Sequence, residues 1–337
     1  MLFAIVMTVA VFDNLLKMIV NQVFTPHNSN NLNISTICYP VLSRVCTDIY
    51  RGWAIIIIMV GHVSVCWNWV GFGPFGGTGV AIFLLLSGYG LHESFKKNGL
   101  KGFWQKKLMR IALPYILFRV IWMMVEGNLS LNYWWGIVNC SNSVFWYIDY
   151  IVRCYIVFYI ACKLTRWHLK WGVLGAFSIY SFFGLSTLCA TQAFSFISGV
   201  ILSANAVEMR KIRNWQVLMT LAVAGVMGLG ALAVKHLYGG DEGLSRDLPL
   251  LVQNLSMAVA FITFLYFTRR WVSGLLVSLF GALSLELYII HMRLLPMVGE
   301  SLWQGVALII AAALFAYSFN RLCKWIINLM LNYQVNE

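Results

Sequence analysis

Long apolar runs recur along this chain at short intervals, and they constrain its fold more than any other feature of the sequence. A bilayer core about 30 Å thick is crossed by about 20 apolar residues in helical form, because a backbone in lipid must satisfy its hydrogen bonds internally. Ten such runs lie at roughly 52–70, 78–95, 108–125, 145–162, 171–189, 193–208, 215–234, 249–267, 273–292 and 301–320. The pattern predicts an all-α, polytopic membrane bundle of about ten core transmembrane helices.

The composition agrees with this prediction and excludes the soluble classes. Hydrophobic residues make up 60% of the chain and charged residues 11%, whereas soluble domains carry about 25% charged residues. The net charge of +12 comes from short basic clusters between apolar runs, so we do not expect a nucleic-acid partner. The eight cysteines show neither a CxxC nor a Cys/His ligand spacing, so the sequence predicts neither a disulfide framework nor a metal site.

The basic residues are concentrated in alternate loops. Those that follow the second, fourth, sixth, eighth and tenth runs contain 16 of the 24 Lys and Arg residues. Cytoplasmic loops of membrane proteins are enriched in Lys and Arg. The pattern predicts that these loops lie in the cytoplasm and that the first core helix starts there.

Three regions are expected along the chain. Residues 1–44 are predicted to form an extra hydrophobic helix and a polar linker, and they lack the basic start of a cleavable signal peptide. Residues 45–320 form the membrane domain, and 321–337 form a C-terminal cytoplasmic tail.

The stretch from Thr47 to Val63 carries the most informative polar residues. Asp48 and Arg51 stand at its entry, and His62 follows Arg51 after ten apolar or small residues, about 16 Å along a helix. If Arg51 lies at a membrane face, His62 lies near mid-depth, where an ionisable side chain is a functional candidate. A histidine there can act as a general base, and an arginine can bind phosphate or carboxylate. Considered alone, Arg51 is explained as a basic residue that holds the helix end at the membrane surface. His62, considered alone, is explained by a hydrogen bond to another helix.

Two further stretches point to the cytoplasmic side. Ser87-Gly88-Tyr89 interrupts the second run, where small residues permit close helix packing or offer a backbone surface to a ligand. Lys107 and Arg110 lie three residues apart on one helix face, before Pro114, which permits a break in the third run. The pair can clamp the phosphates of an anionic substrate or can simply belong to a positive-inside cluster.

Two other stretches point to the opposite side. Trp146 and Tyr147 mark an interface, and Asp149 is spaced to form an ion pair with Arg153. Glu286 falls within the ninth run and must face protein or water, whereas His291 comes near the outer face as a lone interfacial histidine, which by itself suggests a structural role.

Taken together, these residues resemble the acyltransferase 3 family of membrane acyltransferases. The matching segments are DIYRGWAIIIIMVGH, GVAIFLLLSGYGL, KKLMRIALPY, FWYI and SLELYIIH, which occur in the family's order over roughly residues 45–295. The resemblance implies transfer of an acyl group, commonly acetyl, from cytoplasmic acyl-CoA to an outer acceptor, commonly a glycan hydroxyl. Acyl-CoA is then a donor substrate and not a bound cofactor. The expected partners are membrane lipid and a glycan or lipid-linked glycan, in a bacterial inner membrane.

The resemblance also implies roles for particular residues. His62 becomes the catalytic histidine and Arg51 its essential partner. In the mechanism that we expect to follow, Asp48 or Arg51 orients groups at the inner end. The donor-side motifs are matched by Ser87, Gly88, Tyr89, Lys107 and Arg110. The acceptor side is assigned to Trp146, Asp149, Glu286, Tyr288 and His291. The chain departs from the family's usual Arg-x-x-Arg at Lys107, which binds phosphate only as a point charge.

Two other functions compete with this interpretation. A transporter or flippase for a glycan or small solute would use Asp149, Arg153 and Glu286 as relay groups, although no inverted repeat supports it. The other large class of membrane O-acyltransferases also uses an intramembrane histidine, but late in the chain, whereas His62 comes early.

Overall fold

A computed structural model describes residues 41–66, 73–127, 130, 132, 135, 143–164, 167–209, 211–240, 243–299 and 301–335. It is 89% helical and contains no strands among these residues, which confirms the predicted all-α class. The predicted N-terminal hydrophobic helix lies outside the described residues. The main helices are α1 Arg44–Cys66, α2 Gly73–Asn98, α3 Phe103–Glu126, α4 Trp146–Lys163, α5 Trp167–Gly184, α6 Thr187–Ala204, α7 Asn214–Tyr238, α8 Leu244–Val272, α9 Leu275–Ala282, α10 Ser284–Leu294 and α11 Leu302–Val335.

These helices support a polytopic membrane bundle. Seven of them, within the part of the chain that the structure describes, are long and apolar enough to cross a membrane. An eighth span is formed if the bent pair α9 and α10 is counted as one crossing. The fourth and fifth predicted runs are present as α4 and α5, each 18 residues long.

Helix α1 lies at the centre of the bundle. Its apolar residues cover most of its circumference, and a helix that is apolar on most sides is buried by neighbours. Trp53 is completely buried, and its Nε1 donates a hydrogen bond of 3.1 Å to the carbonyl of Val272 in α8. Tyr50 is also buried, and its hydroxyl donates to the carbonyl of Val41 at 2.9 Å. The first core helix is therefore fixed on several sides, which suits a helix that carries a reactive side chain.

Close helix contacts depend on glycine at a few positions. A Cβ atom at Gly88 of α2 would collide with the carbonyl oxygen of Phe196 in α6, and one at Gly199 would collide with that of Leu85. These two helices consequently approach each other backbone to backbone.

Helix α3 contains a π-helical turn where a break was predicted. Residues 108–112 form this turn, in which the backbone N–H of Leu113 donates to the carbonyl of Leu108. Pro114 has no N–H to give to the carbonyl of Arg110, and its ring would clash with that carbonyl in a regular α-helix. The helix therefore continues through a wider turn, and Arg110 lies within it.

The ninth predicted run, 273–292, is present as a bent pair of helices and not as one straight helix. Helices α9 and α10 meet at Leu283 with a bend of 83°. Helix α9 crosses α1 closely, because Gly281 lies against the carbonyl of Asp48 and Gly52 lies against Val277. Helix α10 then turns along α1 and carries His291 to His62.

Several basic loops gather at one end of the bundle, as their alternation predicts. Lys96, which ends α2, donates a 2.7 Å hydrogen bond to the carbonyl of Ser203 near the end of α6. Lys170, which begins α5, lies over the ring of Phe95 at 5.6 Å. We call this the basic end. Its assignment to the cytoplasm remains a prediction.

Candidate active site

Two histidines from distant parts of the chain meet in the interior. Nδ1 of His62 in α1 lies 2.9 Å from Nε2 of His291 in α10, and the two rings stack with centroids 5.2 Å apart. His291 is completely buried. The expectation that His291 is a lone histidine is therefore wrong, because the bend before α10 turns this helix against α1. We call these two residues the histidine pair.

The hydrogen bonds of the histidine pair fix where its protons lie. Nδ1 of His291 is 2.8 Å from the carbonyl oxygen of Leu287. A carbonyl oxygen only accepts, so Nδ1 of His291 carries a proton, and Nε2 of the neutral ring is an acceptor. Nδ1 of His62 must then donate to it. Nε2 of neutral His62 is left with a lone pair, which is the state that a general base or a nucleophile requires.

The structure gives the position of this histidine along α1. Arg51 does not stand at the start of α1 but two turns inside it, with its side chain 24% exposed. His62 lies only one turn before the last residue of the helix, Cys66. It is thus about 27 Å from Arg44 along the helix axis, nearer to the end of the bundle that lacks the basic loops.

Three cations that the sequence singled out gather closer to the basic end. The charge of Arg51 interacts with those of Lys107 and Arg110, and the Nζ of Lys107 lies 4.6 Å from the centroid of the Tyr155 ring. Ser87 lies beside the hydroxyl of Tyr155. We call Arg51, Lys107, Arg110 and Tyr155 the basic cluster. Tyr155 was not predicted, because a tyrosine in an apolar helix carries no distinguishing sequence signal.

Asp48 binds Arg51 and not His62. Its Oδ1 accepts a hydrogen bond of 3.0 Å from Nη1 of Arg51, one helical turn away. The pair leaves the net charge of the basic cluster positive, since Lys107 and Arg110 add two further cations.

Two tyrosines connect the basic cluster with the histidine pair. Tyr147 interacts electrostatically with Arg51 and Tyr155, and its ring lies 5.2 Å from that of Tyr288. The ring of Tyr288 is in turn 5.8 Å from that of His291. Both tyrosines are buried, so the expectation that Tyr147 marks a membrane interface is wrong. Tyr288 was predicted as a site residue, and the structure brings it beside the histidine pair.

The residues of the Ser87-Gly88-Tyr89 stretch face two different neighbouring helices. Successive residues of a helix point about 100° apart. Ser87 accordingly reaches Tyr155, whereas Gly88 lies against the backbone of α6, near Phe196. The packing explanation holds for Gly88. The backbone of Tyr89 lies against Gly199, also in α6.

Trp146 and Asp149, also predicted on the acceptor side, lie in the first turn of α4. Asp149 forms a two-point ion pair with Arg153, at 3.1 and 3.2 Å, as its spacing predicts. Trp146 lies in the first turn of α4, its ring 6.4 Å from that of Tyr147.

Glu286 was placed in the outer half by the sequence, and this placement is wrong. It lies in the first turn of α10, just after the bend that brings the chain past Asp48, and thus on the side of the basic end. It is 6% exposed, and its Oε1 accepts a 2.6 Å hydrogen bond from Nδ2 of Asn320 in α11. The sequence-based placement assumed a straight helix, and the bend at Leu283 accounts for the difference.

Comparison with known proteins adds one match. A family model described as an acyltransferase domain, that of the acyltransferase 3 family, matches residues 45–322. No curated protein and no solved structure matches the chain. The matched range includes both histidines and the whole basic cluster.

Proposed function

Because the chain belongs to the acyltransferase 3 family, and is thus an integral membrane acyltransferase, we propose that it moves an acyl group from acyl-CoA to a hydroxyl. The observation that carries the proposal is the histidine pair, whose hydrogen bonds leave Nε2 of His62 free to take a proton. The basic cluster and the two tyrosines that connect it with the histidine pair mark the path that we propose for the donor.

The basic cluster is the binding site that we propose for the donor. Coenzyme A carries phosphate groups, and guanidinium and ammonium groups form charge-assisted hydrogen bonds with phosphate. Arg51, Lys107 and Arg110 offer three such groups beside one another. The acyl end of the donor then extends along Tyr147 and Tyr288 toward His62. Acetyl is the group that we propose is transferred.

The chemistry begins at Nε2 of His62. This atom takes the proton of the acceptor hydroxyl while the hydroxyl oxygen attacks the thioester carbonyl. The carbon–sulfur bond breaks, and His62 returns the proton to the leaving thiolate, so that coenzyme A departs as the free thiol. During the reaction His62 carries a positive charge, and Nε2 of His291, which accepts its Nδ1–H, stabilises that charge. A covalent route, in which Nε2 of His62 is first acylated, uses the same atom as nucleophile.

The acceptor that we propose is a hydroxyl of a cell-envelope glycan on the extracytoplasmic side. His62 lies far from the basic end, one turn before the end of α1. If the basic end faces the cytoplasm, the donor enters from the cytoplasm and the acceptor from the other side, as in a bacterial inner membrane.

The test is transfer of radiolabelled acetyl from acetyl-CoA in membranes that contain native envelope. The wild type should label envelope glycan, and His62→Ala should not, although it inserts and folds. His236→Ala is the matched control, because His236 is an exposed histidine in the last turn of α7. If the His62→Ala variant still transfers acetyl, His62 is not part of the mechanism. No transfer by the wild type with any of several acyl-CoA donors would favour a transporter instead.

A further inference from the structure

A second cationic site lies beyond the histidine pair. Arg119 of α3 is 2% exposed, and its guanidinium carbon is 6.0 Å from the ring centroids of both Tyr115 and Phe145. A buried arginine within a membrane-spanning helix is costly and marks a functional site more often than an ordinary packing position.

Arg293 of α10 approaches the same aromatic ring. Its guanidinium carbon lies 5.6 Å from the centroid of Phe145 and 5.3 Å from that of Trp122. Its Nη1 is 3.4 Å from Oε1 of Glu126, longer than the roughly 2.8 Å of a good charge-assisted hydrogen bond. Two guanidinium groups thus share the Phe145 ring, and Nε of Arg293 is buried with no hydrogen-bond partner among the described residues. We call Arg119 and Arg293 the arginine pair.

The arginine pair lies toward the same end of the bundle as the histidine pair, away from the start of α3. Arg293 follows His291 by two residues in α10. Arg119 follows Tyr115 by one helical turn, and Tyr115 interacts electrostatically with Tyr288, which contacts His291. Arg119 lies about 24 Å along α3 from Phe103, the residue at the start of that helix near the basic end. The histidine pair and the arginine pair therefore lie at a similar distance from the basic end.

We propose that the arginine pair binds a carboxylate or phosphate group of the acceptor, so that the acceptor is an anionic glycan. This inference rests on the proposed function and names the substrate class that the site selects. Planar guanidinium groups bind these oxyanions through parallel N–H donors, and the aromatic rings hold both groups in place and exclude water. An anion held here would place a neighbouring hydroxyl of the same sugar toward His62, while the anionic donor occupies the basic cluster.

The first experiment measures binding without turnover. The full-length protein, in nanodiscs of phosphatidylcholine and saturated with coenzyme A so that the basic cluster is occupied, is titrated with inorganic phosphate or with chloride at equal ionic strength. Phosphate should raise the midpoint of thermal unfolding of the wild type, whereas chloride should not. Arg119→Gln and Arg293→Gln should each lose this difference. Lys235→Gln, which removes a cation in the last turn of α7, should keep it.

The folding of each variant is checked by its stabilisation with coenzyme A, which binds elsewhere. Arg119→Lys is the second variant at that position, because it keeps the charge and loses the planar donors, so part of the phosphate effect should remain. The proposal is overturned if phosphate does not stabilise the wild type, or if both Gln variants respond to phosphate as the wild type does.

The second experiment asks where the anion comes from. Methyl glucuronide and its uncharged amide carry the same hydroxyl groups, so they differ only in the carboxylate. The wild type should acetylate the glucuronide with a KM about tenfold lower, and both Gln variants should lose the preference. If phosphatidylglycerol nanodiscs abolish the phosphate effect and the two sugars react equally, the anion belongs to a lipid headgroup and the acceptor assignment is overturned. Failure of all acetyl transfer, with the phosphate effect intact, contradicts the proposed function and not the anion site.

Discussion

Nε2 of His291 lies 2.9 Å from Nδ1 of His62, although 229 residues separate them in the chain. This contact exists because α10 begins with an 83° bend and then follows α1. The carbonyl of Leu287 fixes the proton on Nδ1 of His291, and the proton positions of the whole pair follow from that one bond. The mechanism proposed for His62 consequently depends on a residue that does not itself touch the reacting atoms.

His291 is therefore expected to act as a positioning residue. His291→Ala should lower kcat by about 10²- to 10⁴-fold, since it removes the acceptor that orients His62 and stabilises its charge, while the KM for acetyl-CoA stays near that of the wild type. His291→Gln should restore part of kcat, because its amide oxygen can accept from Nδ1 of His62. Steady-state kinetics of the purified enzyme separates kcat from KM. A merely structural role would give equal losses for Ala and Gln, together with lower thermal stability.

Lys107 is expected to act in donor binding and not in chemistry. Lys107→Gln should raise the KM for acetyl-CoA by about tenfold with little change in kcat, because it removes one charge-assisted contact from the basic cluster. Lys107→Arg should bind the donor at least as well as the wild type, since arginine adds the paired donors that lysine lacks. The measurement is the KM at two salt concentrations, and the difference between wild type and Lys107→Gln should shrink at high salt.

The control for this prediction is Lys101→Gln. Lys101 is an exposed residue in the turn before α3, outside the basic cluster. If Lys101→Gln raises the KM as much as Lys107→Gln does, the donor responds to the overall charge of the basic end and not to a built site.

The sequence predicted the polar groups of the site better than their arrangement. Lys107 and Arg110 could be proposed together because they lie three residues apart on one helix face near basic loops, whereas Arg51 was assigned as the partner of His62. The contact of His62 with His291 could not be predicted, because the hydropathy of the ninth run does not show the bend at Leu283. For the same reason Glu286 was placed in the wrong half. Hydropathy gives the length of an apolar run, whereas a bend depends on tertiary contacts such as that of Gly281 with Asp48.

The arginine pair shows a second limit of the sequence. Arg119 lies within an apolar run, where an arginine near a helix end is commonly explained by the snorkelling of its side chain. Its burial against Phe145, together with Arg293 from α10, depends on the packing of α3 with α10. The sequence does show a charged residue inside a predicted span, which indicates that the residue has a partner in the fold. Only the folded chain identifies that partner.

The last prediction concerns Gly88, for which the resemblance implied a role in donor binding and the structure shows helix packing. A Cβ atom at Gly88 would collide with the backbone carbonyl of Phe196, which cannot move away as a side chain would. Gly88→Ala should therefore lower the free energy of unfolding by about 1–3 kcal/mol, the usual cost of overpacking. Gly225→Ala in α7 is the matched control: no atom lies within 4 Å of its Cβ position, and alanine favours a helix over glycine by about 1 kcal/mol in water. Thermal unfolding in detergent, followed by intrinsic fluorescence, should show a lower midpoint for Gly88→Ala and an unchanged or higher one for Gly225→Ala. If Gly88→Ala unfolds like the wild type but has a raised KM for acetyl-CoA, Gly88 contacts the donor after all, and the approach of α2 to α6 is looser than the structure shows.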